Sequence, residues 1–161
     1  MKRFGIPLCI LALFGAFAFW WFSPVQVVKR RTTTLLRTLT LESGSGKGTR
    51  QMGVYSLNAL LASEVELESP TIQEANGTFE RSEMESAFSW LCEQSRQTRF
   101  DLSEFRSVKV HGDHADVVFT LKALVELPSH KPADGNYIAT FRWQHDDKEG
   151  WRLARASWLA K

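Results

Sequence analysis

The feature that most constrains this chain is an uncharged stretch close to its amino-terminal end. No charged side chain occurs from Phe4 to Phe22, and Trp20 and Trp21 stand near the end of that run. At about 1.5 Å per residue, a helix of this length approaches the roughly 30 Å hydrocarbon thickness of a bilayer. The sequence therefore predicts a membrane anchor over residues 1–23 and one folded domain over residues 24–161.

A cleaved signal peptide is the alternative interpretation of the same run. Lys2 and Arg3 would supply its charged start, and Ala16-Phe17-Ala18 has the small-x-small pattern of a cleavage site. Because cleavage there would leave an aromatic terminus starting at Phe19 in water, we favour the uncleaved anchor. The expected topology is a single-pass membrane protein with a cytoplasmic N-terminus and an external domain, periplasmic or extracellular.

The charge balance restricts the partners of the domain. The chain has a formal net charge of +2, and removing Lys2 and Arg3 leaves 18 basic and 18 acidic side chains. Nucleic-acid affinity comes from many phosphate contacts, so no nucleic-acid partner is expected for a neutral domain. The basic group Lys29-Arg30-Arg31, with Arg37, is better placed to contact lipid headgroups beside the anchor. By the positive-inside rule, the same cations count against an external domain.

Helical periodicity and turn residues organise the first half of the domain. Apolar residues recur at helical spacing over 25–42, and the glycine-rich segment 43–48 predicts a flexible loop. A second helix is expected over 51–63 and a half-buried strand over 65–68. Asn76-Gly77 predicts a turn.

A third helix is predicted over Ser82 to Arg96. Ser82 and Glu85 match a capping box at its start. The predicted buried face follows helical spacing and consists of Met84, Ala87, Phe88, Leu91, Cys92 and Ser95.

Beyond this helix the apolar pattern changes to a period of two, which is typical of strands. Val108 and Val110 precede a hairpin at His111 to His114. The next strand is predicted to bury one face, formed by Ala115, Val117, Phe119, Leu121, Ala123, Val125 and Leu127. After a loop over 128–136, two further strands present Tyr137, Ala139, Phe141 and Trp143, and then Trp151, Leu153 and Leu159. This order predicts an α+β domain, with about three helices packed on a curved antiparallel sheet.

The element order resembles that of the nuclear transport factor 2-like superfamily, also called SnoaL-like or cystatin-like cone. The resemblance covers Val25 to Lys161 and depends on the order of elements, the capped helix Ser82 to Arg96, and the closing strand that begins Gly150-Trp151-Arg152-Leu153. It implies a conical pocket between helices and sheet. Relatives include isomerases, dehydratases and hydrolases, non-enzymatic binding or dimerising modules, and membrane-anchored scaffold parts.

The resemblance also directs attention to side chains that would line such a pocket. The ligand-pocket candidates are Tyr55, Glu64, Trp90, Phe119, Tyr137, Phe141 and Trp143. Isomerase relatives combine a tyrosine with a carboxylate, but Glu66, Asp101 and Asp116 do not align onto such a set, so no catalytic residue is predicted. His111 and His114 would face each other across the hairpin and could share a metal with help from Asp113 or Asp116. A usable site needs a third and a fourth ligand, and an exposed hairpin tip supplies few, so neither a metal nor a cofactor is expected.

The sequence therefore predicts a membrane-anchored, non-catalytic domain that acts as an interaction or assembly module. Its partners would be membrane lipid through the N-terminal helix and a protein partner or a second copy of the chain. A SnoaL-like small-molecule-binding protein or enzyme remains the alternative. A deep pocket with a convergent ionisable pair would favour the enzyme, and a cone filled with aromatic side chains would favour the module.

Overall fold

The computed structural model describes residues 5–70, 76–128 and 131–161. The helices of these residues are α1 (Gly5–Trp21), α2 (Pro24–Leu39), α3 (Lys47–Asn58) and α4 (Arg81–Gln94). The strands are β1 (Leu61–Glu68), β2 (Gly77–Glu80), β3 (Gln97–His111), β4 (His114–Glu126), β5 (Ala133–Asp146) and β6 (Gly150–Ala160). They form one sheet in the order β2-β1-β6-β5-β4-β3, in which only β1 and β6 pair in parallel.

The predicted α+β class with helices on a curved sheet is confirmed, but the sheet is mixed rather than antiparallel, because β1 pairs with β6 in parallel. Helix α2 packs on β3, β4 and β6, α4 packs on β1 and β2, and α3 packs on α2 and α4. One core cluster joins these helices to the inward side chains of the strands. The three helices therefore cover one face of the sheet, called here the inner face.

Helix α1 covers most of the uncharged run, but the predicted spanning helix over Phe4 to Phe22 is not supported. Among the residues that the structure describes, no helix is long and apolar enough to cross a membrane. Helix α1 contains 17 residues, which corresponds to about 25 Å of axial length. Phe4 lies outside the described residues, and the helix ends one residue before Phe22.

The predicted helix over 25–42 is confirmed as α2. Pro24 occupies its first turn, where the missing N–H has no helical partner to lose. Val28, Thr32 and Leu35 form its buried stripe, and Leu36 extends it. The helix ends at Leu39 because Leu41 leaves it to pair with Thr98 at the start of β3.

The prediction for the next helix has the right type and the wrong limits. Helix α3 begins at Lys47, inside the segment predicted as a flexible loop, and ends at Asn58 rather than at Ser63. Leu61 belongs instead to β1, where it is buried and pairs with Leu153 of β6. Burial against a distant strand therefore overrides the local helical pattern.

The start of α4 also differs from the prediction. The cap is Glu80, whose backbone N–H donates to the Glu83 carboxylate at 2.7 Å, so the capping box is Glu80 with Glu83 rather than Ser82 with Glu85. The cause is β2, which runs directly into the helix. The turn predicted at Asn76-Gly77 is wrong, because Gly77 is the first residue of β2 and pairs with Leu67. On the helix itself, Phe88 and Cys92 are buried as predicted, whereas Ala87 is exposed.

In strands β4 and β5, the residues predicted to face the core are on the inner face. The inward residues of β4 from Ala115 to Leu121 are buried, while those from Ala123 onward are partly exposed. Strand β3 is much longer than the pair Val108 and Val110 suggests, and the predicted loop over 128–136 ends early because β5 begins at Ala133. Leu159 lies in β6 as predicted, but it is exposed.

One arginine holds the carboxyl end of α4 against α3. The Arg50 Nη1 donates to the carbonyl oxygens of Cys92 at 2.7 Å and Ser95 at 2.9 Å, and Nη2 donates to that of Arg96 at 3.2 Å. These carbonyls lie at or just past the end of the helix, where they have no helical partner and the helix dipole is negative. Arg50 therefore caps α4 from a neighbouring element.

Replacing Arg50 by alanine should lower the free energy of unfolding by about 2–3 kcal/mol. Hydrogen bonds from a charged donor contribute about 1.5–3 kcal/mol each, and water can reach part of this site to replace them. Urea unfolding followed by far-UV circular dichroism measures the change. Arg99→Ala, at an exposed position of β3, is the matched control and should change stability by less than about 0.5 kcal/mol. An equal effect of the two changes would contradict the capping role.

Candidate functional site

The inner face of the sheet is filled by aromatic side chains from neighbouring strands. The Phe119 and Phe141 rings meet edge to face with centroids 4.9 Å apart, and the Phe141 and Trp143 centroids lie 6.5 Å apart. Phe119 and Trp143 are fully buried, and Phe141 is nearly so. We call these three residues the interior aromatic cluster. It fills the middle of the inner face as part of the hydrophobic core.

A buried hydrogen-bond chain links this cluster to α2. The Trp143 Nε1–H donates to the Thr32 Oγ1 at 3.1 Å, and the Thr32 hydroxyl donates to the Val28 carbonyl oxygen at 3.0 Å. The indole N–H and the hydroxyl are thus both satisfied inside the protein. Neither group is left to bind a ligand.

The structure divides the predicted pocket residues into two groups. The interior aromatic cluster accounts for three of them, and Tyr137 lies on the same face of β5, partly exposed. The Tyr137 ring covers Gly135, where an added Cβ would come within 2.8 Å of the tyrosine hydroxyl. The remaining three candidates, Tyr55, Glu64 and Trp90, are exposed, Tyr55 to 80% and Trp90 to 55%.

The acidic residues considered for catalysis lie on the opposite, outer face of the sheet. The Arg142 Nε donates to the Asp116 carboxylate at 2.8 Å, and this carboxylate raises the pKa of Arg142 through the hydrogen bond and its charge. The Arg155 Nε lies 3.5 Å from the Glu66 carboxylate, and Asp101 is exposed. These carboxylates are therefore placed in surface ion pairs or in solvent, away from Tyr137.

A row of charged side chains crosses the outer face at one level. Register places Glu66, Arg155, Arg142, Asp116 and Lys109 side by side on the strands β1, β6, β5, β4 and β3. Helices α2, α3 and α4 pack on the inner face, on the opposite side of the sheet from this row. The row carries both signs of charge.

Apolar side chains adjoin this row on the same face. Two residues along β4 from Asp116, Val118 is the register partner of Thr140 on β5. Two residues along β5 from Thr140, Ile138 is the register partner of Leu159 on β6. A cavity of about 470 Å³ opens beside them. Its lining consists of Glu68, Ser69, Pro70, Asn76, Ile138, Thr140, Ser157, Trp158 and Leu159.

A second cavity, of about 370 Å³, lies near the turn between β5 and β6 and is mostly polar. The Glu149 carboxylate accepts a hydrogen bond from Arg81 at 3.0 Å and lies 3.5 Å from Arg152. The hydrogen bond from Arg81 is the main cause of a lowered pKa of Glu149. With Asp146, the lining carries two cations and two anions, so its formal charge is balanced.

The two hairpin histidines are paired as the sequence indicates. His111 and His114 are register partners at the turn between β3 and β4, and the His114 Nδ1 lies 2.6 Å from an Asp113 carboxylate oxygen. The parts of the chain that the structure describes contain no group of three or more potential ligands suited to a metal ion. This arrangement favours a solvated turn.

The outer-face apolar residues were missed by the sequence reasoning. The sequence does contain an indication of them, because Val118 and Ile138 are apolar residues that alternate with the buried residues of β4 and β5 and therefore point to the other face. An apolar residue on the solvent side of a strand is common singly. Only the register shows that these positions lie together on adjacent strands.

This chain is similar to known proteins in its fold. No known family profile matches the sequence, and no curated protein matches it. A nuclear transport factor 2-like protein from Cytophaga hutchinsonii has 17% identity and a TM-score of 0.65, covering 87% of this chain and 100% of that one. The S. rosetta CaMKII hub has 17% identity and a TM-score of 0.62, covering 86% and 98%. A superfamily protein from Salmonella enterica serovar Typhimurium has 10% identity and a TM-score of 0.63, covering 84% and 89%. The chain thus has the nuclear transport factor 2-like fold.

Proposed function

We propose that this nuclear transport factor 2-like domain is a non-catalytic assembly module that associates with a second copy of itself through the outer face of its sheet. We further propose that α1 holds it at a membrane surface, with the domain on the external side. The observation that carries the proposal is the division of the sheet into a filled inner face beneath α2, α3 and α4 and an outer face that none of these helices covers.

The filled inner face supports a role without catalysis. An acid–base site needs an ionisable pair that converges on a substrate, in a place from which water can be excluded. Here the interior aromatic cluster takes up that space, and Asp116 is held by Arg142 on the other side of the sheet. A substrate would have to displace buried rings to reach the centre of the cone.

The outer face has the anatomy of an interface. It carries the apolar residues Val118, Ile138 and Leu159, and the row of charged side chains lies beside them. Interfaces commonly combine an apolar centre with a polar rim, and a two-fold dimer uses the same surface on both copies. Because the row contains both signs, a second copy can present opposite charges to it.

The exposed surface of α1 supports the membrane placement. Phe14, Phe17, Phe19 and Trp20 all have more than half of their surface exposed, and Trp21 and Phe22 are exposed beside them. A continuous apolar surface of this kind needs a cover, and a bilayer with interfacial tryptophans provides one. Protease accessibility of the domain in intact cells tests which side of the membrane it occupies.

Replacing Ile138 by aspartate should weaken self-association at least 100-fold. Two such charges would be buried without partners at the centre of the interface, and the cost of a buried, unpaired charge exceeds the roughly 2.7 kcal/mol that this factor represents. Sedimentation equilibrium of the full chain in detergent measures the dissociation constant. Met52→Asp, at a 71% exposed apolar position of α3, is the matched control and should leave association unchanged. A wild-type chain that stays monomeric at high concentration would refute the proposal.

The enzyme alternative has its own test. Tyr55, Glu64, Glu66, Asp101 and Asp116 are changed singly to Phe, Gln or Asn in a strain where loss of the gene has a phenotype. We expect every variant that stays folded and self-associated to retain function. If one abolishes function while the protein stays folded and self-associated, the enzyme replaces the assembly module as the better explanation.

A further inference from the structure

The charges of this chain are strongly segregated along its length. Residues 1–41 contain six basic side chains and no acidic one, whereas residues 42–161 contain 14 basic and 18 acidic ones. The first part thus has a formal charge of +6 and the second a charge of −4. Among the described residues, most of the positive part forms α1 and α2, while Lys2 and Arg3 lie outside them.

Arg30 is fixed at the point where α1 meets α2. Its guanidinium lies 4.5 Å from the centroid of the Trp21 ring, and its Nη1 donates to the Trp21 carbonyl oxygen at 2.8 Å. The Trp21 ring is in turn stacked on Phe17, with centroids 5.7 Å apart, and lies 6.3 Å from the centroid of Trp20. A cation is therefore held beside the aromatic end of α1.

Lys29 supplies a second cation on the same turn of α2. Its Nζ lies 5.5 Å from the centroid of the Phe105 ring of β3. Within the described residues, the ion pairs of lysine and arginine involve only Arg81, Arg142, Arg152 and Arg155, so neither Lys29 nor Arg30 belongs to one. Their charges are available to an external anion.

Arg31 has a different role, although the sequence groups it with its two neighbours. Its Nη1 donates to the Ala59 carbonyl oxygen at 3.2 Å, just past the end of α3. Burial, followed by the nearby charge of Arg152, lowers the pKa of Arg31. Arg31 is thus turned into the protein as a helix cap. Lys29 and Arg30 are half-buried to a similar degree, but they contact aromatic rings rather than the end of a helix of the domain core.

We propose that Lys29 and Arg30, together with Trp20 and Trp21, bind the phosphate groups of an anionic lipid surface. Tryptophan rings are common at the headgroup boundary of a bilayer, and the two cations beside them would contact lipid phosphates at the same depth. A nucleic acid would bind the cations but would leave the aromatic rings of α1 exposed to water. This inference rests on the membrane placement under the proposed function and adds the lipid class to it.

The test compares the binding of the full chain to vesicles of phosphatidylcholine with and without phosphatidylglycerol, by flotation. Each basic residue near an anionic surface contributes about 1 kcal/mol, or about fivefold in partitioning. We therefore expect the preference for anionic vesicles to fall by about 25-fold in Lys29→Ala/Arg30→Ala. The control pair Lys122→Ala/Lys131→Ala removes two exposed lysines near the other end of β4 and should keep the preference.

Further arms separate the explanations. Arg30→Lys keeps the charge and should keep the preference, and near-UV circular dichroism confirms that each variant is folded. Equal binding to both vesicles would overturn the lipid inference while leaving the membrane placement intact. No binding to either vesicle would overturn both, while self-association is measured independently. Loss of the preference in inorganic phosphate, but not in chloride of equal ionic strength, would assign the site to free phosphate and overturn the lipid inference.

Discussion

Replacing Trp143 by alanine should lower the free energy of unfolding by about 3–5 kcal/mol. Large-to-small changes of buried aromatic residues reach this range because transfer energy is lost and a cavity remains. Trp143 is fully buried in the interior aromatic cluster, where the Phe141 ring lies against it. The change also removes the hydrogen bond between its Nε1 and the Thr32 hydroxyl. Urea unfolding of the full chain in mild detergent, followed by far-UV circular dichroism, measures the loss.

A matched tryptophan elsewhere in the domain makes this test specific. Trp90 is 55% exposed on α4, so Trp90→Ala should cost less than about 1 kcal/mol, as surface substitutions usually do. Thr32→Val leaves the indole N–H buried without an acceptor and should cost about 1–3 kcal/mol. If Trp143→Ala and Trp90→Ala cost the same, the centre of the cone is loosely packed, and the argument against a ligand pocket fails with it.

The sequence was most informative where the apolar pattern continued without interruption. On β4, the residues Ala115, Val117 and Phe119 alternate strictly with outward positions, and all three are buried. The same holds for Ala139, Phe141 and Trp143 on β5. A period of two decides the face of each residue once the strand exists, so the interior aromatic cluster could be predicted from the sequence.

Strand β3 shows why the prediction failed elsewhere. Its pairing with β4 shifts between Leu102 and Glu104 and again between Phe105 and Ser107. Each bulge adds a residue and changes the phase of the alternation, so no single period describes the strand. The bulges are set by pairing with β4, which a local pattern does not contain.

The side-chain contacts on the outer face could not be predicted from the sequence for a related reason. Arg155 meets Glu66 only because β1 pairs in parallel with β6, two strands that are far apart in the chain. Likewise, Arg50 reaches the carbonyls of α4 from another helix. Such contacts depend on topology, and residue type alone gives no sign of them.

Replacing Phe88 by alanine is the second change with a large expected effect, again about 3–5 kcal/mol of unfolding free energy. Phe88 is 4% exposed on α4 and packs close to α3, since a Cβ added at Gly53 of α3 would lie 3.3 Å from the Phe88 Cε1. The missing ring would leave both a cavity against the core and a gap between the two helices.

The control for this change lies on α3 itself. Met52→Ala, at a 71% exposed position, removes apolar atoms without opening the helix pair and should change stability by less than about 0.5 kcal/mol. The two variants are unfolded in urea under identical conditions. A loss below about 1 kcal/mol for Phe88→Ala, outside the range for buried aromatic truncation, would mean that α4 presents another face to the core.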